Sequence, residues 1–284
     1  MADLNNILVT GARGNLGGAV VRALVGCGAT VIAGGTRPEE MQMHHGIQRV
    51  KIDYTQPPTV EAALDSVDGL FLVAPPLDFE APAKVNPVVG MAKAAGVKHV
   101  IFNSALGVDQ NESAPLRLIE KHLMTSGLPY TILRPNFFME NFSSGYIAPM
   151  IAQGGIFLAA GNAQTSFISI EDIAAVAAAA FEKEQFGAAY NLTGPAALDH
   201  TQVAKIISEA SGRIVTYQAI TEEAMIQGAK DQGLPEGVIQ YMAILYDAVR
   251  KGWMSAVTED VERALGRPAV AFGAFARKNA AAWK

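Results

Sequence analysis

Short apolar runs alternate with longer amphipathic stretches through the first half of the chain. Residues 7–10, 30–33, 47–52, 69–73, 99–103 and 130–133 are β-rich and mostly apolar at consecutive positions, which predicts six strands buried on both faces. Between them, residues 16–25, 60–64, 85–95 and 116–123 repeat apolar side chains every three to four positions, as helices covering a sheet do. Such alternation implies right-handed crossovers, so the expected class is α/β, a doubly wound parallel sheet of Rossmann-like form.

The pattern changes at Arg134-Pro135. Proline disfavours a helical Arg134 and ends the sixth strand, and the Asn-Phe-Phe-Met-Glu-Asn-Phe run at 136–142 is aromatic and irregular. Asp172 is expected to cap a helix beginning near Ile173. A strand at 189–192 and a helix over 201–210 follow. From about residue 214 onward the chain reads as mostly helical, with Met225, Met242, Tyr246, Trp253 and Met254 among its apolar positions. That region predicts a small, mostly helical C-terminal lobe over the strand ends.

Gly11, Gly14 and Gly17 follow the first strand directly and open the first helix, with Arg13, Asn15 and Leu16 between them. Glycines at this spacing allow a tight turn, a close backbone approach to a pyrophosphate, and tight helix–sheet packing. The free amide hydrogens of the helix start attract phosphate. The stretch therefore predicts a dinucleotide site. NAD-binding relatives of such turns hold the ribose with a carboxylate about 20 positions on. Here that place reads Gly34-Gly35-Thr36-Arg37, without a carboxylate. Arg37 and Arg13 together suit a 2′-phosphate, although either alone reads equally as a solvated charge. NADP(H) is therefore the expected cofactor and NAD(H) the disfavoured alternative.

Further contacts are expected where strands end, because ligands of open α/β sheets sit beyond their carboxyl ends. Asp53 and Tyr54 are placed to flank the adenine, or to form a turn capped by the aspartate. Ala74, Pro75 and Pro76, with Asn103 and Ser104, are expected to border the nicotinamide. The chain divides on this reading into a dinucleotide-binding core, 1–135, and a substrate-side lobe, 136–284, whose strands and helices return to the core.

Composition narrows the classes. Half of the 284 residues are apolar and 17% charged, enough for a sizeable core. A net charge of -5 offers no basic face to nucleic acid. The single cysteine, Cys27, excludes an intrachain disulfide and is expected as a buried small hydrophobe. His44, His45, His99, His122 and His200 show no metal-ligand spacing, so no metal is expected. The first residues lack a basic, apolar leader, and 173–181 is too short to cross a bilayer, which predicts a cytoplasmic protein without membrane contact. A monomer and a homodimer remain equally open.

The chain resembles the NmrA-like group of atypical short-chain dehydrogenases/reductases. The residues that carry the resemblance are Leu8-Val9-Thr10-Gly11-Ala12-Arg13-Gly14-Asn15-Leu16-Gly17, Gly96-Val97-Lys98-His99-Val100, Gly127-Leu128-Pro129-Tyr130-Thr131-Ile132-Leu133-Arg134-Pro135 and Tyr190-Asn191-Leu192-Thr193-Gly194-Pro195. The likeness extends to about residue 215 and is strongest to bacterial members that reduce quinones or triphenylmethane dyes with NADPH. The group also holds isoflavone-reductase-like enzymes and a non-catalytic redox-sensing regulator. Where short-chain dehydrogenases carry Tyr-x-x-x-Lys, this chain has Glu112 and Leu116, and none of its seven tyrosines has lysine four residues later. Leu116 also replaces the lysine of the isoflavone-reductase-like members.

Alcohol oxidation and epimerisation therefore lose their acid–base pair. Hydride delivery to a planar, electron-poor acceptor such as a quinone, dye or imine survives, because solvent can protonate the product. Phe137, Phe138, Met139, Asn141 and Phe142 are the expected acceptor-binding residues, suited to stacking and to excluding water. Ser104 and His122 are weak catalytic candidates. Two alternatives stay open: a non-catalytic NAD(P) sensor, and a biosynthetic reductase with a specialised substrate.

Overall fold

The computed structural model describes residues 6–41 and 47–284; His44 and His45 lie outside them. In chain order the first half runs β1 (Asn6–Val9), α1 (Asn15–Gly26), β2 (Thr30–Gly35), β3 (Gln48–Lys51), α2 (Pro57–Ala63), β4 (Gly69–Val73), α3 (Ala81–Ala94), β5 (His99–Asn103), α4 (Pro115–Thr125) and β6 (Tyr130–Pro135). The second half runs α5 (Ala148–Ala152), β7 (Gly155–Leu158), α6 (Ile170–Glu182), β8 (Ala188–Leu192), α7 (His200–Ser211) and β9 (Thr216–Ala219). It ends with α8 (Glu222–Asp231), α9 (Glu236–Arg250), α10 (Asp260–Leu265) and α11 (Phe272–Lys278).

Seven strands form one parallel sheet in the order β3-β2-β1-β4-β5-β6-β8. The order reverses between β1 and β4, which opens a crevice at their carboxyl ends. Alternate residues of each strand serve opposite faces. Ile7, Val9, Phe71, Ile101 and Leu133 pack on one face with Val20 and Leu24 of α1 and Ile173 and Phe181 of α6. Leu8, Leu70, Leu72, Val100 and Phe102 pack on the other with Val60, Val85, Val89 and Ile119 of the next three helices. This is the expected doubly wound fold, and β8 returns to it from beyond residue 135.

The lobe has its own core, centred on Phe142, Phe167 and Phe272, whose rings meet edge-on at 5.2–5.9 Å. Trp283 seals it, and its indole N–H donates to the Phe142 carbonyl at 2.7 Å. Helices dominate after residue 221, as expected.

Three local expectations change. The segment read as helical from 214 opens with β9, which pairs in parallel with β7 as a separate two-stranded sheet. Ser169, not Asp172, caps α6, its Oγ accepting from the Glu171 amide at 3.2 Å. Asp172 lies one turn inside and fully buried, where its carboxylate binds Arg267 and the Val270 amide, each at 2.7 Å. Cys27 is exposed at the end of α1 because its turn points away from the sheet.

Candidate active site

One continuous cavity of about 1450 Å³ runs along the carboxyl ends of the sheet and under the lobe. At its sheet end, Gly11 turns at φ +64°, a left-handed conformation that glycine adopts without steric cost. The Ala12 amide donates to the Gly34 carbonyl at 3.0 Å, holding the turn against β2. A Cβ on Gly17 would lie 2.3 Å from the Gly11 carbonyl oxygen, so helix and turn meet at a distance that excludes any side chain. Gly14 caps α1 without a side-chain bond, and no carboxylate stands in the first turn. The free amides beside Asn15, Leu16 and Gly17, all on the cavity wall, make that end an anion site. Thr10 braces the crevice: its hydroxyl donates to the Phe71 carbonyl (3.2 Å) and accepts the Val73 amide (2.9 Å), joining β1 to β4.

Thr36, Arg37 and Arg13 line the cavity. The two arginines converge on Glu40, which ion-pairs with Arg37 at 2.9 Å and with Arg13 at shorter range. All three side chains are about half exposed. A carboxylate thus occupies the focus of two guanidinium groups, which is the geometry a 2′-phosphate needs.

Asp53 and Tyr54 also line the cavity. The Asp53 carboxylate accepts from the Thr55 hydroxyl (2.7 Å), the Thr55 amide (2.9 Å) and Gln56 (3.0 Å). Those bonds, led by the Thr55 hydroxyl, hold its pKa below the usual carboxylate range. Tyr54 donates to the Val73 carbonyl at 2.9 Å, and burial pushes its phenol up. The turn capped by Asp53 is present, and both residues stand on the cavity wall. Ala74, Pro75, Pro76, Asn103 and Ser104 follow along the wall. Asn103 Oδ1 is buried there without a hydrogen-bond partner among the described residues, whereas the Ser104 hydroxyl lies against the Glu120 carboxylate and helps hold its charge.

Beneath Ser104 lies a buried ion network. Arg134 grips Glu120 through two bonds of 2.8 Å and reaches Asp109 at 2.8 Å, while Arg117 reaches Glu120 at 3.0 Å. Burial alone would raise the Glu120 pKa, but Arg134 outweighs it and holds the carboxyl below its usual range. The network fixes the end of β6 on α4 and so aims the segment that follows.

Asn136 anchors that segment. Its side chain donates to Ser166 Oγ and the Met254 carbonyl, both at 2.8 Å, and accepts the Phe137 amide at 2.9 Å. Phe137, Phe138 and Asn141 line the cavity. Met139 and Phe142, also expected there, do not: they are buried in the lobe core. The reason is local. Residues Met139–Phe142 form a 3₁₀ turn, in which side chains three apart eclipse. Met139 and Phe142 thus share one face and Phe138 and Asn141 the opposite one. His122 is exposed and does not reach the cavity, because α4 turns Leu116, Ile119 and Leu123 inward instead.

The far half of the cavity escaped the sequence reading. It is walled by Tyr146, Met150 and Phe157 and by Tyr241, Met242, Leu245 and Tyr246 of α9, with Met254 beyond. The apolar spacing of α9 was visible, but not which face met a cavity. Trp253 is exposed, with the Lys251 ammonium 5.1 Å from its ring centre.

A glycine turn at a helix start, an arginine pair and an apolar chamber line one cavity. The chain belongs to the NmrA-like family, whose model matches residues 4–267. It is 32% identical to an NAD(P)H azoreductase of Xenophilus azovorans, over 98% of this chain and 99% of that one. It is 30% identical to quinone oxidoreductase 2 of Escherichia coli, over 92% and 94%. Among solved structures, Citrobacter sp. triphenylmethane reductase complexed with NADP(H) superposes with a TM-score of 0.82 at 26% identity, covering 97% of this chain and 99% of that one. The E. coli NADPH-dependent quinone oxidoreductase complexed with NADPH gives 0.83 at 28%, covering 96% and 99%. The transcriptional regulator NmrA, at 17% identity and a TM-score of 0.78, shares the fold.

Proposed function

We propose that this chain is an NADPH-dependent reductase of small, planar, conjugated acceptors such as quinones, azo compounds or triarylmethane dyes. The observation that carries the reading is the single cavity that joins an uncapped helix start and two arginines to an apolar, aromatic chamber. The azoreductase, quinone oxidoreductases and triphenylmethane reductase named above match over more than nine-tenths of both chains, and the descriptions of three of the four name NAD(P)H, NADPH or NADP(H).

The α1 amides beside Gly11, Gly14, Asn15, Leu16 and Gly17 would hold the pyrophosphate, and Arg13, Thr36 and Arg37 the 2′-phosphate. Asp53 and Tyr54 flank the adenine side; Ala74, Pro75, Pro76, Asn103 and Ser104 border the nicotinamide. When bound, NADPH supplies a hydride. Phe137 and Phe138 stack the acceptor, while the lobe excludes water from the hydride path. Orientation in a closed chamber provides most of the acceleration, so no tyrosine–lysine pair is required.

The partner is a small molecule, and a net charge of -5 argues against nucleic acid. Among the described residues no helix is long and apolar enough to cross a membrane, and no His/Cys/Asp/Glu group suits a metal. A cytoplasmic setting and a division at residue 135 complete the proposal. The test is NADPH oxidation by the purified chain with a simple quinone, beside a thermal-shift series of NADPH, NADP, NADH and NAD. Stabilisation by NADPH with quinone turnover is expected. Stabilisation by oxidised and reduced cofactor alike, with no turnover of quinone, azo or triarylmethane acceptors, overturns it in favour of a cofactor sensor.

A further inference from the structure

The lobe side of the chamber is mostly apolar, and two tyrosines meet on it. Tyr146, in the loop before α5, and Tyr246, on α9, put their hydroxyl oxygens 2.6 Å apart. Both residues line the cavity. Tyr246 is 3% exposed and Tyr146 43% exposed, so Tyr246 is the inner member. The ring of Phe137, one of the expected acceptor-stacking residues, lies 6.3 Å from that of Tyr246, which places the pair beside the acceptor.

Two hydroxyls carry two hydrogens, and their mutual bond uses one. Neither oxygen makes another side-chain or backbone bond among the described residues. One hydrogen of the pair is therefore left for one incoming acceptor atom. With the deeper Tyr246 donating to Tyr146, the free hydrogen belongs to Tyr146, on the exposed side. Burial pushes the Tyr146 phenol up to about 12 and Tyr246 well above the ordinary range, so both keep their protons at neutral pH.

We propose that Tyr146 is a catalytic hydrogen-bond donor to the acceptor atom that gains negative charge, and that Tyr246 positions its hydroxyl. The role rests on the reductase reading above. When hydride adds to a quinone, the displaced electron pair moves onto the carbonyl oxygen, which becomes an oxyanion. Tyr146 keeps its proton and strengthens its hydrogen bond to that oxygen; water supplies the proton afterwards. A phenol raised to about 12 is a weaker acid than an ordinary one near 10, which favours stabilisation over proton transfer. A triarylmethyl cation differs in charge balance. Hydride makes it neutral, no anion develops, and the donor has nothing to stabilise.

The experiment compares a neutral quinone with a cationic triphenylmethane dye at saturating NADPH, using the full chain. Tyr146→Phe should lower kcat with the quinone about 100-fold, the scale of losing one oxyanion donor, and leave kcat with the dye within about twofold. Tyr246→Phe should shift the same ratio in the same direction by a smaller factor, and it carries the comparison if Tyr146→Phe does not fold. Equal losses on both acceptors, or none on the quinone, overturn the tyrosine role and leave the reductase reading standing. No turnover of either acceptor by the unsubstituted chain overturns both.

Discussion

The two ends of the cavity are built from different materials. At the sheet end the recognising groups are backbone: the Gly11 turn, the bare amides of α1 and the close approach at Gly17. The side chains that assist, Arg13 and Arg37, sit half in solvent. At the lobe end nearly every contact is a side chain, delivered by β6's continuation, the loop at Tyr146, β7 and α9. A backbone site recognises one conserved chemical feature, a phosphate, and tolerates no added atom. A side-chain chamber recognises shape and can be resurfaced residue by residue, which lets one fold carry many acceptors.

The sharpest way to break that contrast is Gly17→Ala. Its methyl group would meet the Gly11 oxygen at 2.3 Å, forcing turn and helix apart. NADPH affinity by calorimetry should fall about 100-fold or more while the circular dichroism of the fold persists. Affinity within about threefold of the original would show that the amides do not cradle the phosphates.

Acid comes next, because each half hides one neutral histidine. Burial lowers His99, between Phe181 and Phe186 under the sheet, to about 4, and lowers His200, among the lobe aromatics, to about 4. A folded-state value below the unfolded one means stability that is present above about pH 6.5 and lost as pH falls toward about 4. The loss is on the order of 2–3 kcal/mol per histidine. Urea midpoints at pH 7 and pH 4.5 measure it; His99→Gln and His200→Phe should each flatten the slope.

Arg37→Asp should raise the NADPH Michaelis constant at least about tenfold and change that for NADH little. The smallest effect is the opposite one. Glu40→Gln frees both arginines and should tighten NADPH about two- to fivefold, the modest size expected of exposed ion pairs. Weaker NADPH binding after Glu40→Gln would mean that the carboxylate organises the arginines rather than competing for them.

What the sequence made legible follows the same division. The glycine turn, Arg37 and the six core strands are written in contiguous residues, where spacing alone decides geometry. What stayed illegible depends on contacts or periods that the local sequence does not set. Asp172 and Ser169 both suit a cap, and only the tertiary bonds from Arg267 and Val270 to Asp172 decide between them. Met139 and Phe142 are indistinguishable from Phe138 until a 3₁₀ turn sets the period. Tyr146 and Tyr246 are 100 positions apart, and no local pattern pairs them. The polar, partly exposed β9 lacks the alternation that marks a half-buried strand.

The Trp283 indole bond to the Phe142 carbonyl spans 141 positions and clasps the turn that carries Phe138 and Asn141. Replacing Trp283 would therefore slacken that turn without altering any residue that lines the cavity. A residue outside the cavity thus takes part in shaping its wall.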